Sequence, residues 1–283
     1  MRKYFLIGTV LLFLFGGILI YQNITFNDKK LHVVICNVGQ GDAILIRTPQ
    51  GSDILIDGGP DNSVLSCLGR HLPFWDRTIE IMILTHPHAD HLTGLIDVAK
   101  RYSVLMFGTG KLGNSPISQE LMKLLKQNKT QEKTLRQGDK FILNGVILET
   151  LWPTEEWIDQ NAGAGDSVNE NGFSAMELLD YQNFKALFTG DAQAEDMDRI
   201  DLLAGKIDLL KVPHHGSRFG LTADILDILR PKLAAISVGK DNKYGHPTSF
   251  ILDLLKSANI KTLRTDQVGD IEIVSDGMNF KIK

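Results

Sequence analysis

The feature that most constrains the fold is an apolar strand that runs directly into a cluster of histidines. Residues 79–85 (IEIMILT) are typical of a buried β-strand, and the metal-capable side chains that follow are His86, His88, Asp90 and His91. Composition alone would give this H-x-H-x-D-H pattern in such a chain with a probability on the order of 10⁻³. Imidazole and carboxylate are common metal ligands, so the segment predicts a metal centre at a strand end.

The spacing within the cluster predicts two cation positions. His86 and His88 leave the strand at i and i+2, so both side chains can point to one side. Asp90 and His91 follow on the turn into a helix and can reach a second ion. A polar loop with incidental histidines is the alternative interpretation, and this dense spacing disfavours it.

Further candidates lie far along the chain, again at strand ends. Asp191 follows the strand ALFT and could bridge two ions, although taken alone it is more typical of a helix N-cap. His214 and His215 follow the strand LLKVP, and we predict that they lie in the active site. His246 also follows a strand (AAISVG) and precedes a helix.

The remainder of the chain alternates short strands and helices. From residue 31 the strands come in hairpins as well as in α/β units, and FILNGVILETLW has an Asn-Gly turn typical of a hairpin. Residues 153–172 are polar and rich in glycine, which predicts a long loop, and a helix is expected near residues 193–203. The fold class is therefore α/β (α+β), an αββα sandwich of two mixed sheets flanked by helices.

The N-terminal region predicts a membrane anchor. Residues 5–21 carry no charge and would form a helix about 25 Å long, against a hydrocarbon core of about 30 Å. Arg2 and Lys3 precede the run and favour a cytoplasmic N-terminus with the domain outside. We divide the chain into a signal anchor (1–22), a linker (23–30) and a domain that carries the histidine cluster (31–283). A cleaved signal peptide, giving a secreted domain, and a buried core helix are the alternatives.

Two cysteines and the net charge add weaker constraints. Cys36 lies in an apolar run and is predicted to be a buried thiol, with a disulfide to Cys67 as the less favoured alternative. The formal net charge of −4 does not indicate a nucleic-acid partner, although a local basic patch could still bind one. No protein partner is predicted.

From about residue 31 to 283 the chain resembles the metallo-β-lactamase fold. The segments that carry the resemblance are LIDGG with Asp57, HPHADH, LFTGDA with Asp191, and YGHP with His246. With NVGQGD (37–42) and KVPHHGS (211–217), it is most similar to two groups. These are the extracytoplasmic hydrolase domain of the DNA-uptake competence channel and the choline-phosphate esterases.

The resemblance implies two divalent metal ions, Zn²⁺ or Mn²⁺. The first would be held by His86, His88 and Asp191, and the second by Asp90, His91, Asp191 and His246. Many members of the family add a third histidine to the first metal, but no histidine occurs here between residues 91 and 214. Asn171 and Ser174 are the counterparts in that region, so the first site should bind its ion more weakly.

The same resemblance suggests roles around the ions. Asp90, His214 and His215 are the predicted catalytic residues. Asp90 would orient the nucleophile, and His214 or His215 would stabilise a developing anion or protonate the leaving oxygen. Asp57 would hold a ligand histidine from behind. The other residues expected near the ligands or the substrate are Gln40, Asp42, Asn171, Ser174 and Ser217.

The expected function is hydrolysis by a hydroxide that bridges the two ions. A phosphoester or phosphodiester is the favoured substrate, either nucleic acid or a cell-wall phosphodiester, because a dinuclear site suits in-line displacement. The missing third histidine disfavours a β-lactam, and hydrolysis of a lactone or lactam is kept as an alternative. A non-catalytic anchored binding module is the alternative from a different functional class.

Overall fold

The fold is built from fifteen strands and ten helices within the part that the computed structural model describes, residues 2–161 and 170–283. The strands are β1 (Leu31–Ile35), β2 (Ile44–Arg47), β3 (Asp53–Ile56), β4 (Thr78–Leu84), β5 (Ser103–Thr109), β6 (Gln131–Thr134), β7 (Lys140–Leu143), β8 (Val146–Trp152), β9 (Met176–Tyr181), β10 (Phe184–Phe188), β11 (Leu209–Lys211), β12 (Leu233–Ile236), β13 (Lys261–Arg264), β14 (Ile271–Ser275) and β15 (Phe280–Ile282). The helices are α1 (Arg2–Phe26), α2 (Ser63–His71), α3 (Ala89–Arg101), α4 (Pro116–Gln127), α5 (Glu155–Asn161), α6 (Ala194–Met197), α7 (Asp201–Ala204), α8 (Ala223–Leu229), α9 (Ser249–Ser257) and α10 (Thr265–Val268).

The strands form two mixed sheets. The first has the order β15-β14-β1-β2-β3-β4-β5-β6, antiparallel from β15 to β3 and parallel from β3 to β6. The second has the order β13-β12-β11-β10-β9-β8-β7, parallel from β13 to β10 and antiparallel from there to β7. Each sheet therefore has a parallel half, and in each half the strands end at a common edge.

The core between the sheets follows from the two-residue period of the strands. Along β1, alternate side chains point into the space between the sheets, and Val34 points to the outer face of the first sheet. The inward residues of β1 and their partners on the second sheet are Leu31, Val33, Ile35, Leu148, Leu179 and Phe188. The packing buries both inner faces, as a sheet-on-sheet sandwich requires.

Helices cover the two outer faces. On the first sheet, α3 buries one face at helical spacing, with Leu92, Leu95 and Val98 packed against the outer sheet residues. On the second sheet, α8 and α9 do the same through Ile225 and Ile251. Together the layers confirm the predicted αββα sandwich.

The local predictions are mostly confirmed, with three differences. The Asn-Gly hairpin is formed by β7 and β8 in antiparallel register. The predicted loop 153–172 contains α5 and a 3-10 turn (Glu170–Phe173), and its residues 162–169 lie outside the described residues. The helix expected near 193–203 is divided into α6 and α7. Helix α1 continues to Phe26, so it extends into the predicted linker 23–30.

The cysteines form a disulfide, which corrects the prediction of a buried Cys36 thiol. Cys36 follows β1 and Cys67 lies on α2, and their Cα atoms are 5.8 Å apart. Both side chains are buried in the layer between the first sheet and its helices. The bridge closes a loop of 31 residues and so joins β1 to the helix that covers it.

A buried acid in the core predicts a stability that depends on pH. Glu177 on β9 is fully buried and accepts a hydrogen bond from Thr150 Oγ1 at 2.8 Å. Burial, which outweighs this bond, raises the pKa of Glu177 to about 8. Because the folded chain then binds the proton more tightly than the unfolded chain, folding stability falls by a few kcal/mol between about pH 5 and about pH 8.

Replacing Glu177 with glutamine should remove this dependence. The amide resembles the protonated acid, so E177Q should unfold at a higher temperature than the unsubstituted chain above about pH 8 and at a similar temperature near pH 5. Thermal unfolding followed by circular dichroism at several pH values measures the difference. E120Q, on the exposed face of α4, controls for the loss of one carboxylate. A difference independent of pH would contradict the prediction.

Candidate metal centre

The candidate residues meet at one end of the sandwich, where strands of both sheets end. β3 and β4 are parallel neighbours in the first sheet, and β10, β11 and β12 are parallel neighbours in the second. Because the carboxyl ends of parallel strands share an edge, the loops that follow them converge. These loops carry Asp57, His86, His88, Asp191, His214, His215 and His246, and the first turn of α3 carries Asp90 and His91.

Asp191 lies at the centre of the group. Its Oδ1 is 3.3 Å from His91 Nε2 and 3.6 Å from His215 Nε2. Its Oδ2 is 4.0 Å from His86 Nε2 and 3.6 Å from His214 Nε2. Each oxygen of one buried carboxylate therefore faces its own pair of imidazoles.

Four side chains offer ligand atoms at metal-binding separation. The atoms of Asp90, His91, Asp191 and His215 all lie within 4.8 Å of one another. Within residues 2–161 and 170–283, no hydrogen bond reaches the buried atoms His91 Nε2, His215 Nε2 and Asp191 Oδ1. Buried polar atoms without hydrogen bonds are costly, and imidazole nitrogen and carboxylate oxygen are ligands for Zn²⁺ and Mn²⁺. The residues therefore fit a divalent cation.

His86 and His88 lie next to each other on the Oδ2 side of Asp191. His86 Nε2 is 3.0 Å from His88 Nδ1, and His86 faces Asp191 Oδ2. His86 is buried, whereas the side chain of His88 is 40% exposed and reaches Glu170 Oε2 at 3.2 Å. Glu170 was not among the predicted residues, because it lies in a polar segment without a recognisable motif.

The distant ligand is a correction to the sequence analysis, which assigned it to His246. His214 and His215 have φ values of 48° and 53°, the left-handed region that residues other than glycine rarely adopt. This turn directs the His215 ring inward, with Nε2 3.5 Å from Asp90 Oδ2 and Nδ1 3.0 Å from the Ser237 carbonyl oxygen. His215 therefore takes the position that was assigned to His246.

His246 lies on the wall of the site. Its ring centroid is 5.8 Å from that of His214 and stacks on Tyr244 at 6.0 Å. Asn242 holds this loop, since its side-chain amide donates to the His246 carbonyl oxygen and its Oδ1 accepts from the His246 backbone N–H. Its place on the wall favours contact with a substrate over ligation beside Asp191.

The two histidines can be distinguished by metal affinity. H215A removes a buried ligand next to Asp191. Loss of a residue that only supports a ligand lowers metal affinity by up to about 100-fold, so we expect loss of this ligand to lower the affinity for Mn²⁺ or Zn²⁺ by more than about 100-fold. H246A should change it by less than about 10-fold. Competition with a chromogenic chelator measures both. A larger loss of affinity in H246A than in H215A would restore the original assignment, and equal losses would contradict the distinction between the two histidines.

Asp57 supports His91 from behind, as the resemblance implied. Its Oδ2 is 2.7 Å from His91 Nδ1 and accepts a hydrogen bond of the same length from Thr85 Oγ1. Its Oδ1 accepts from the Thr85 backbone N–H at 2.8 Å. The bond to Nδ1 orients the imidazole so that Nε2 faces Asp191.

Asp42 is buried next to the centre and has an ion-pair partner that was not predicted from the sequence. Its carboxylate forms an ion pair with Lys211, a lysine with no exposed surface that also donates to the Gly190 carbonyl oxygen at 3.1 Å. The approach of this loop depends on Gly41, because a Cβ there would clash with the Asp90 carbonyl oxygen. The sequence signal that could have identified Lys211 is a charged residue within the apolar strand LLKV.

The other predicted neighbours have different placements. Gln40 and Asn171 line the cleft, and Gln40 Oε1 accepts from the Gly239 backbone N–H at 3.1 Å. Ser174 Oγ accepts from the Asp191 backbone N–H at 3.1 Å and is 3.4 Å from His86 Nδ1. Ser217 is buried, and its backbone N–H donates to the His214 carbonyl oxygen at 2.8 Å, so it closes the histidine turn.

The electrostatics of the centre favour bound positive charge. Burial opposes ionisation of Asp191, but His215 and His91 outweigh it and hold the pKa of Asp191 well below its usual range. Burial also opposes ionisation of Asp90, but the nearby imidazoles of His215 and His91 outweigh it and lower the pKa of Asp90 to about 2. Burial disfavours protonated His215, yet Asp191 and Asp42 raise its pKa to about 9. Both central carboxylates are therefore ionised at neutral pH.

A cleft of about 320 Å³ opens onto these groups. Its walls come from both sheets, and the lining side chains include Gln40, Asp90, Asn171, His214, Tyr244 and His246. Polar groups at the base and partly exposed rings on the wall suit a small polar group of a substrate, with the remainder of the substrate outside.

Comparison with known proteins agrees with this geometry. The family model described as "Metallo-beta-lactamase superfamily" matches residues 36–240. The chain is 28% identical over 261 residues to ComE operon protein 3 of Bacillus subtilis, covering 85% of this chain and 32% of that protein. It is 24% identical over 269 residues to Competence protein ComA of Neisseria gonorrhoeae, covering 92% and 34%. The chain thus spans about a third of the length of these curated relatives.

Among solved structures, the chain is similar to the metallo-beta-lactamase fold protein YhfI from Bacillus subtilis. The TM-score is 0.59 at 12% identity, and the match covers 87% of this chain and 100% of that one. At this identity the likeness concerns the fold, which is the sandwich described above. The chain belongs to the metallo-β-lactamase superfamily, as a metal-dependent hydrolase.

Proposed function

We propose that the chain hydrolyses phosphodiesters with two divalent cations bound on either side of Asp191. The observation that carries the proposal is the division of the Asp191 carboxylate. Its Oδ1 faces His91 and His215, and its Oδ2 faces His86 and His214. A shared ligand of this kind is typical of two-metal sites that cleave phosphate esters by in-line displacement.

The two cation positions use different ligands. We assign one to Asp90, His91, Asp191 and His215, and the other to His86, His88 and Asp191. Zn²⁺ or Mn²⁺ held by these residues would supply Lewis-acid chemistry and would activate water as the nucleophile. The second set has three residues where the first has four, and its His88 is 40% exposed, so its ion should exchange more readily.

Two side chains of the cleft would act on the substrate directly. Burial lowers the pKa of His214, so its imidazole is neutral near pH 7 and offers one N–H donor to a phosphoryl oxygen. Asp90 is 33% exposed and would orient the attacking water by accepting its hydrogen bond. The predicted catalytic role of His215 becomes a ligand role in this proposal, because its Nε2 faces Asp191.

Two observations favour a phosphodiester. No histidine lies between residues 91 and 214 to complete the first site, and this disfavours a lactam. A relative is also named a competence protein, which is consistent with the motif resemblance to phosphodiester-cleaving groups. The net charge of −4 mildly disfavours a long polyanion as the substrate.

The substrate class can be tested with the full chain in detergent. With Mn²⁺ or Zn²⁺ present, we expect turnover of bis-p-nitrophenyl phosphate, and little turnover of the monoester or of a chromogenic lactam. Single-stranded DNA and choline-substituted teichoic acid then distinguish the two natural classes. Cleavage of the lactam, or of a lactone, without any diester turnover would contradict the proposal.

We further propose that α1 anchors the domain on the outer side of a membrane. α1 is long and apolar enough to cross a bilayer, with a mean hydropathy of 2.3. The Cys36–Cys67 disulfide is typical of an oxidising compartment. A reporter enzyme that is active only outside the cytoplasm should be active when it is fused after Lys283. A freely soluble cytoplasmic product would contradict the anchor.

A further inference from the structure

The loop between α2 and β4 exposes two adjacent aromatic side chains. Phe74 is 47% exposed and Trp75 is 45% exposed, although both are large and apolar. Their ring centroids are 5.0 Å apart in an edge-to-face arrangement. The two rings pack against each other, but much of their apolar surface is in contact with solvent, which is typical of a binding surface.

This loop is attached to the end of the apolar helix. The Phe74 backbone N–H donates to Gln22 Oε1 at 3.2 Å. Gln22 comes directly after the uncharged run of residues 5–21, and Tyr21 ends that run. A second contact lies nearby, where Arg47 Nε donates to the Phe26 carbonyl oxygen at 3.4 Å. The aromatic pair is therefore level with the end of the apolar part of α1.

We propose that Phe74 and Trp75 insert into the headgroup region of the membrane that α1 crosses. Tryptophan and tyrosine concentrate at the boundary between hydrocarbon and water, because their rings are apolar with one polar edge. The domain then has two membrane contacts, the helix and the loop, and its orientation is set by both.

The orientation that follows places the metal centre away from the bilayer. β4 begins beside the aromatic loop at Thr78 and ends before the histidine cluster at Leu84. Its seven residues at about 3.3 Å each separate the two ends by roughly 20 Å. The cleft would therefore face outward, toward substrates in the surrounding space and not toward the lipids of the same membrane.

Tryptophan quenching tests this orientation, because the chain has only three tryptophans. Trp152 is buried in the second sheet, and Trp157 lies on α5. The full chain is reconstituted into phosphatidylcholine vesicles, with and without lipids brominated close to the headgroup. We expect bromine to quench up to one third of the total emission, and we expect W75F to abolish that quenching.

A relocated tryptophan provides the control. Phe219 is 63% exposed and follows the histidine turn at the opposite end of the sandwich. In W75F/F219W, emission should be insensitive to bromine, and circular dichroism checks that both variants fold. Equal quenching in the unsubstituted chain and W75F, or quenching in W75F/F219W, would overturn the proposed orientation.

The proposal rests on α1 spanning the membrane, and flotation of the vesicles separates the two ideas. A chain that floats with the vesicles but shows no quenching of Trp75 overturns the docking of the loop alone. A chain that does not float overturns the anchor and the docking together. Neither result depends on hydrolase activity, so the proposed function is tested separately.

Discussion

Replacing Asp191 with asparagine is expected to lower diester hydrolysis by about 10³-fold or more. The amide has nearly the same shape, but it is neutral and has one acceptor oxygen where the carboxylate has two. One carboxylate oxygen faces His91 and His215, and the other faces His86 and His214. The asparagine side chain can replace only one of these two oxygens. Both cation positions should weaken together, which a residue serving one ion would not cause.

The measurement combines kcat/KM for bis-p-nitrophenyl phosphate with metal content after gel filtration. D180N is the matched control, because Asp180 lies on β9 and pairs with Lys185 at the protein surface. It should leave both quantities unchanged. If D191N retained two ions and near-normal turnover, Asp191 would not be a ligand shared by two ions, and the dinuclear assignment would be wrong.

Replacing Lys211 with methionine is expected to destabilise the fold by about 3–5 kcal/mol. Lys211 has no exposed surface, and its ammonium group compensates the buried carboxylate of Asp42. Methionine preserves much of the apolar stem but leaves Asp42 without its strongest counter-charge, since Lys211 is the largest favourable influence that lowers the pKa of Asp42 to about 2. The unfolding temperature should fall by roughly 10 °C.

Two further variants distinguish a lost ion pair from lost packing. K232M removes a lysine that pairs with Asp208 while its side chain is 69% exposed, and it should cost less than about 1 kcal/mol. D42N/K211M removes both buried charges and should recover part of the stability that K211M loses. Equal unfolding temperatures for K211M and K232M would contradict the role given to the buried pair.

The fold was predictable because its signals are local. The apolar strand β4 and the helix that follows the histidine cluster are visible in the sequence, and the Asn144-Gly145 turn fixes the β7–β8 hairpin. The histidine cluster was equally clear, because its spacing and its position after an apolar strand allow few structures other than a metal centre.

Other features depend on contacts between distant elements. His215 and His246 each follow a strand, so their sequence contexts do not distinguish them. Only the left-handed turn at His214 and His215 decides which ring reaches Asp191. The Cys36–Cys67 bridge requires α2 to pack over the end of β1. These outcomes follow from the relative placement of loops, which hydrophobic patterns do not encode.

The metal content of the full chain tests the central claim most directly. After equilibration with Mn²⁺ or Zn²⁺ and removal of unbound ions, elemental analysis should find about two ions per chain. The unfolding temperature should also fall when EDTA removes them. Fewer than about one ion per chain, with a stability insensitive to EDTA, would contradict a dinuclear hydrolase and favour an anchored binding module.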